Sequence, residues 1–361
     1  HIAYPIRRLH WRDRFNFVQA RVEKIDLNAR KVVTTRGTMD FDYLVLALGN
    51  VTNTPKFNSE EGKEDNIFNL KTLNDSRQIR NQIIGIFELA SAERNPERQK
   101  QLLTFIVSGA GYTGIQVVAE LRDFVYRTLL RLYKTINPKN IRIILIEAEP
   151  KIAGELHPKL SAYALKCLQR MKVELRLSSK VTRVWKDRVE INGREIVPTS
   201  TLIWVAGTVA NPRIAELNVA KDNIGRVLVN EYLEVPGFPG VYAVGDCAHF
   251  ENLRGQPIAP RAHTGVRQAK IVANNILANI RGRDNKPYRY SSPPELVSLG
   301  TYKAMFCFHG LRLYGFPARL IWIGAYSLLV TGTCNRVRII MDWLLSIVFG
   351  RDMTFLKLTK L

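Results

Sequence analysis

Residues 102–114, LLTFIVSGAGYTG, decide how this chain folds. Leu102–Ser108 reads as a short apolar strand, and it runs straight into Gly109-x-Gly111-x-x-Gly114. Helical spacing continues from about 113 towards 135, and a second apolar strand, Ile141–Ile146, ends on Glu147. Strand, glycine turn, helix and strand in that order predict two parallel strands joined by a right-handed crossover. The first glycine permits the tight turn, and the second lets backbone approach a pyrophosphate. The third lets helix and strand pack closely, so that the helix N-terminus faces the phosphates. Glu147 is placed to bind both ribose hydroxyls and to repel a 2′-phosphate, which favours NADH over NADPH. The structural alternative is a glycine-tolerant turn with a solvated Glu147. Glu147 follows Gly114 by 33 residues, against about 20 in the usual unit, so extra helix or loop is expected over 122–140.

Upstream, residues 15–22 and 30–34 alternate like strands around a turn at 26–28. FDYLVLALG at 41–49 is a nearly unbroken apolar run, expected as a strand buried on both faces. A polar loop at 52–66 precedes helical spacing over 72–95. Downstream, a helix is expected over 159–171, strands over 173–177, 181–185, 201–206, 225–235 and 241–245, and a helix over 262–281. The turn at 236–240 is rich in proline and glycine. A basic linker at 281–294 leads to a hydrophobic tail from 296.

The 361 residues call for two domains or three, and 46% hydrophobic with 24% charged residues is an ordinary globular composition. Disorder and fibrous folds are excluded. Cys167, Cys247, Cys307 and Cys334 lie far apart with no CxxC pair, which removes support for a disulfide framework, a zinc ribbon or a dithiol centre. A reducing compartment is expected. A formal charge of +21 points to an anionic membrane face or nucleic acid as partner, or to a basic soluble surface. His1–Arg14 holds no apolar core of signal-peptide length.

A second feature is VYAVGDCAH at 241–249. The carboxylate of Asp246, at a strand end, can accept hydrogen bonds from a bound cofactor or can cap a helix. His249 and His263 have no partners at ligand spacing, so no metal site is expected. Cys247 reads as small-residue packing, since no base accompanies it. In the tail, Leu320–Asn335 is the longest uncharged run at 16 residues, short of the ~20 that a membrane span needs. With the following segment, Val337–Gly350, it suits helices lying in a membrane interface. Residues 296–361 carry eight basic and two acidic side chains, which favours anionic lipid. A dimer interface or a cover packed on the core is the competing reading.

Together AGYTG at 110–114, FDYLVLALG, TLIWVAG at 201–207 and VYAVGDCAH resemble the two-dinucleotide flavoprotein oxidoreductases. LVSLGTYKA at 296–304, GFPARLIWIGAY at 315–326 and NRVRIIMDWLLSIVFGRD at 335–352 narrow the resemblance to type II NADH dehydrogenases, the single-subunit NADH:quinone reductases. The resemblance implies an α/β fold with two Rossmann-like domains, the NAD domain inserted in the FAD domain, and an amphipathic helical tail. The corresponding segments are 1–100 and 233–295 for FAD, 101–232 for NAD and 296–361 for the membrane-associating region. Gly109, Gly111, Gly114 and Glu147 would hold NADH. Gly49, Gly245 and Asp246 would belong to the FAD site. The helix from Pro260 to Ala269 stands where the family has its Ala-Gln-x-Ala-x-Gln quinone motif, and its backbone at Ala262 and His263 would approach the flavin. NADH, a quinone and an anionic membrane surface are the implied partners, with a homodimer open and no nucleic acid. The implied location is peripheral, on the cytoplasmic membrane face, without proton pumping.

Three departures accompany the match. No GxGxxG stands upstream of FDYLVLALG, and His1–Arg7 resembles a segment inside the family sequence, so the sequence as given is expected to lack the first βαβ unit of the FAD domain. FAD binding is accordingly expected to be weak or absent in this chain alone. Gln116 stands where relatives carry a glutamate near nicotinamide and flavin; it keeps hydrogen bonding but cannot relay a proton. His263 and Arg267 replace the two glutamines of the quinone motif, where they would stabilise a quinolate or indicate another acceptor. The alternatives are a soluble flavin reductase with a protein acceptor and an inactive basic nucleotide- or nucleic-acid-binding relative.

Overall fold

The structure, a computed structural model, describes residues 14–55, 57, 66–252, 255–259, 261–330 and 332–349. Its elements begin with strands β1 (Val22–Asp26), β2 (Lys31–Thr34), β3 (Gly37–Asp40), β4 (Leu44–Leu46), β5 (Asn50–Thr52) and β6 (Ile67–Asn69). Helices α1 (Leu73–Ala92) and α2 (Pro96–Leu102) lead to β7 (Thr104–Ser108) and α3 (Tyr112–Asp123). A π-helical turn (Phe124–Leu129) and a short α4 (Leu130–Leu132) precede β8 (Arg142–Ile146), α5 (Pro158–Arg170) and β9 (Glu174–Arg176). Then come β10 (Val181–Val184), β11 (Arg188–Ile191), β12 (Glu195–Pro198), β13 (Thr201–Trp204), β14 (Thr208–Ala210) and α6 (Pro212–Ala215). Strands β15 (Val227–Leu228), β16 (Val241–Ala243) and β17 (Ala248–His249) are followed by α7 (Ala262–Ile280). The chain continues through β18 (Glu295–Ser298), β19 (Ala304–Phe308), β20 (Leu311–Gly315), α8 (Phe316–Leu329) and α9 (Thr333–Phe349).

Two compact units form. Of the described residues, the first takes those within 54–207 and 294–349, and the second takes 14–53 and those within 208–293. The expected segment 101–232 is thus shared between both units, and the described part of 296–361 lies in the first.

In the first unit a five-stranded parallel sheet runs β6-β13-β7-β8-β9. β7 is flanked on both sides, and all five of its residues are buried. Helix α1 starts at a capping box in which Thr72 accepts from the Asp75 N–H and Asp75 accepts from the Thr72 N–H. Its Ile79, Ile83, Phe87 and Ala90 recur at helical spacing and join Phe105, Ile115 and Leu145 in the main core. Each fully buried isoleucine, leucine or phenylalanine contributes about 1.5–3 kcal/mol. A meander, β18-β19-β20, belongs to the same unit, and its Val297, Leu299 and Met305 enter that core.

The second unit holds the antiparallel sheet β1-β2-β3 and three strand pairs, β4 with β16, β5 with β14 and β15 with β17. Leu46, Val241, Ala243 and Cys247 form its centre with Ile214 and Val227.

Several expectations are corrected. The first strand covers 22–26, not 15–22; Phe17 is 60% exposed and lies outside the strand. The run 41–49 yields only three strand residues, and Val45 is 40% exposed, so this strand is not buried on both faces. Residues 225–235 contribute only two strand residues, because the Asn230 side chain accepts from the Tyr232 and Glu234 N–H groups and bends the chain there. The hydrophobic stretch from 296 opens as a β-meander before its helices. The extra length expected over 122–140 is the π-helical turn, α4 and a 3₁₀ turn at Pro138–Asn140. His1–Arg7, most of the 52–66 loop, Pro260 and 350–361 lie outside the described residues.

Candidate functional site

The glycine turn of the first unit leaves no spare volume. Gly109 has φ +103°, and a Cβ there would lie 2.7 Å from the Ala206 Cα. A Cβ on Gly114 would collide with the Gly109 carbonyl oxygen and lie 2.8 Å from its carbon. The backbone at this point is pinned: Gly109 N–H donates to the Ile146 carbonyl at 2.8 Å, and Val205 N–H to the Ser108 carbonyl at 2.9 Å. Strand ends and helix start therefore meet as closely as backbone allows, which is what glycine at these positions provides.

Glu147 closes onto the same turn. Its Oε2 accepts from the Ala110 N–H at 2.5 Å and its Oε1 from the Glu149 N–H at 3.0 Å. Helix α3 has no cap from its own Gly111 side, and the Tyr112 N–H at its first turn is taken by Glu155 Oε1 at 2.5 Å. A carboxylate from the chain thus occupies the anion position at the helix N-terminus, and the donors there fit a phosphate equally well. Glu155 was not foreseen from sequence, since it lies on a loop with no motif around it.

Gln116, one turn along α3, is held on the far strand. Its Oε1 accepts from the Ser298 N–H at 3.1 Å and its Nε2 donates to the Tyr112 carbonyl at 3.4 Å. Tyr112 itself donates its hydroxyl to the Leu296 carbonyl. The helix that opens at the glycine turn is therefore bolted to β18.

The second unit brings together the other sequence-selected residues. Gly245 (φ +70°) and Asp246 follow β16, and a Cβ on Gly265 of α7 would come within 3.2 Å of the Gly245 Cα. Gln268 Oε1, buried, accepts from the Gly245 N–H at 2.7 Å. Gln268 was missed in the sequence, hidden beside the more conspicuous Arg267. Gly49 (φ +68°) lies in the turn after β4, and a Cβ there would meet nothing within 4 Å. Cys247 is buried against the Leu46 and Val244 carbonyls, and burial pushes its thiol up despite nearby backbone donors at Gly49 and Leu48. It is packing, not a nucleophile.

Among the described residues helix α7 opens without a side-chain cap, and the N–H groups of its first turn, at Ala262 and His263, can serve another acceptor. His263 and Arg267 are four residues apart and share one face of α7. Arg267 donates to Ser291 Oγ at 2.5 Å. Burial, with Arg261 and Arg267 adding like charge, holds the His263 imidazole below its ordinary value. These features fit a flavin bound by this unit: close-packed glycines, an acid at a strand end and open N–H donors.

The profile of the family described as pyridine nucleotide-disulphide oxidoreductase matches residues 10–269. The type II NADH:quinone oxidoreductase NdhA of Mycobacterium tuberculosis is 30% identical, over 89% of this chain and 70% of that protein. The chain belongs to this family, among the type II NADH:quinone oxidoreductases. A probable NADH dehydrogenase of Dictyostelium discoideum is 29% identical, over 98% of this chain and 79% of its own length. In fold, the chain is similar to NDH2 from Plasmodium falciparum, solved with RYL-552, with a TM-score of 0.84 at 18% identity, covering 93% of this chain and 85% of that one. That likeness shows the α/β fold of the family.

Proposed function

We infer that this chain is an FAD-dependent NADH:quinone oxidoreductase working at a membrane surface. The observation that carries the reading is the glycine turn at 109–114, which has no room for a side chain at Gly109 or Gly114 and has the Glu147 carboxylate fixed on its Ala110 N–H. Gly109, Gly111 and Gly114 let the NADH pyrophosphate approach backbone, with Glu155 giving up the Tyr112 N–H to it. Glu147 takes the ribose hydroxyls and discriminates against a 2′-phosphate. Gln116 is a positioning residue that keeps α3 against β18.

In the second unit Gly49, Gly245 and Asp246 would hold FAD, with the N–H groups of Ala262 and His263 turned to its ring. A flavin held there would supply the redox chemistry between NADH and a quinone. Arg267 supplies a fixed positive charge for a developing quinolate. His263, whose imidazole is held below its ordinary value by burial and by Arg261 and Arg267, serves as a hydrogen-bond partner.

Membrane attachment rests on α8 and α9. In α8 the exposed Phe316, Leu320 and Leu328 recur at multiples of four residues, as do Val337, Met341 and Leu345 in α9. Ala318, Arg319 and Ser327 of α8 are buried instead. No helix among the described residues is long and apolar enough to cross a membrane. Attachment to the cytoplasmic face through these stripes is our reading.

The test is NADH oxidation by the FAD-loaded chain with a quinone and with ferricyanide, together with flotation on anionic vesicles. Quinone turnover and flotation are expected. The double variant Leu320→Glu/Leu328→Glu should lose flotation and quinone turnover while retaining ferricyanide turnover. Ferricyanide reduction without quinone reduction in the wild type would overturn the acceptor. Undiminished flotation in the variant would overturn the membrane face, and a dimer that the variant splits would reassign the stripes to a second copy.

A further inference from the structure

Behind α3 the first unit carries a cleft of about 170 Å³, lined by Arg122, Arg127, Arg170 and Lys303 with a single carboxylate, Asp123. We propose that this cleft binds a phosphate group, as a free phosphate or as the headgroup of an acidic phospholipid. Among the described residues, half of the eight that line it are cations, and four such charges around one concavity repel one another unless an anion joins them. At about 30 Å³ per water, the volume holds a tetrahedral oxyanion with some of its hydration.

Asp123 does not supply that anion to the cleft. Its side chain is 4% exposed and its oxygens are committed: Oδ1 to Arg127 Nε at 3.1 Å and Arg122 Nη1 at 3.5 Å, Oδ2 to the Thr301 N–H at 2.7 Å. It orients the two arginines and offsets only part of their charge. Gly300 (φ +87°) is obliged to be glycine beside it, since a Cβ there would stand 2.5 Å from Asp123 Oδ2.

The arginines are preorganised. Arg122 donates Nε to the Met171 carbonyl and lies 4.7 Å from the Tyr126 ring centre; Arg127 lies 4.7 Å from that of Tyr302. These contacts use Nε and the guanidinium faces, with Arg122 Nη1 also turned to Asp123 Oδ1 at 3.5 Å, whereas recognition of a tetrahedral anion uses the terminal nitrogens of the fork. The π-helical turn at 124–129 places them together. In an α-helix, residues five apart point about 140° away from each other. The wider i→i+5 turn brings Arg122 and Arg127 round to the same face.

The test compares the full wild-type chain with Arg170→Gln/Lys303→Gln, a pair removed from the glycine turn and from the flavin-binding residues. One arm follows the melting midpoint against inorganic phosphate at constant ionic strength. The other measures flotation on phosphatidylcholine vesicles with and without phosphatidic acid. Loss of about tenfold in phosphate affinity in the variant, with NADH oxidation unchanged, supports a free phosphate. The same loss confined to phosphatidic acid vesicles supports a lipid headgroup. Equal responses of variant and wild type in both arms overturn the proposal. Arg122→Gln repeats the comparison, should the first pair fail to fold.

Discussion

Replacing Gly114 by alanine adds one methyl group where the structure has none to spare. The new Cβ would overlap the Gly109 carbonyl oxygen, approach its carbon to 2.8 Å and touch Val205 Cγ2 at 3.4 Å. Carbon atoms prefer about 3.5–4.0 Å, and neither neighbour can retreat. Gly109 is hydrogen-bonded to Ile146 and Val205 to Ser108, both at the ends of buried parallel strands. The start of α3 must therefore move by about 1 Å, at a cost of about 1–3 kcal/mol. A displacement of that size at a binding turn also costs about a hundredfold in kcat/KM. Gly111→Ala is the control: its Cβ would meet only the Glu155 carboxylate, at 3.3 Å, the mobile end of an exposed side chain. Thermal unfolding and steady-state NADH oxidation read both variants. Gly114→Ala should melt several degrees lower and lose most of its NADH specificity constant, and Gly111→Ala should keep its melting midpoint. Equal, wild-type behaviour of Gly114→Ala would refute the claim that this turn is close-packed for a dinucleotide.

Three further outcomes follow from single contacts. Glu147→Gln replaces an acceptor oxygen that serves the Ala110 or Glu149 N–H and removes the charge that repels a 2′-phosphate. The NADH over NADPH preference should fall about tenfold, and an unchanged ratio of specificity constants would count against the assignment. Arg267→Gln removes one of the two cations that depress His263, so its imidazole should titrate at higher pH in an NMR titration. Because the folded value lies below the unfolded one, the neutral ring's contribution to stability is present above the unfolded value and lost as pH falls through the folded one. That acid loss should shrink in the variant, and an unmoved titration would contradict the electrostatic account. For Asp222, burial pushes the carboxyl up, but hydrogen bonds from Arg226 and His249 outweigh it and hold it below its ordinary value. Asp222→Asn leaves the buried Arg226 without its counter-charge and should cost about 3 kcal/mol in denaturant unfolding. The stability that Asp222 adds should also vanish as pH falls through its folded value. A loss below 1 kcal/mol would mean the pair behaves as a surface one.

What sequence made legible was local chemistry with a strict steric demand. GAGYTG, Glu147 and the α7 helix stand where spacing placed them, because glycine turns and amphipathic faces are written in consecutive residues. Partnership across the chain was less visible. Val45 is apolar yet exposed, since apolar composition does not say whether a second neighbour covers a strand. The β19–β20 hairpin was read as an undivided hydrophobic stretch. Its signal was His309-Gly310, a two-residue turn with both φ values positive. Glu155 and Gln268 act through backbone N–H groups far away in sequence, at Tyr112 and Gly245, and no motif marks such acceptors. The π-helical turn at 124–129 is invisible to a 3.6-residue period, though with α4 and the 3₁₀ turn at Pro138–Asn140 it makes up the long separation of Gly114 and Glu147.

The central claim is that this chain moves electrons from NADH through a flavin to a quinone. It is tested most directly by the visible spectrum of the FAD-reconstituted protein under anaerobic conditions. The account predicts that stoichiometric NADH bleaches the flavin bands and that added quinone restores them, with NADPH acting far more slowly. Flavin that binds but is not bleached by NADH, or that stays bleached when quinone is added, would contradict it.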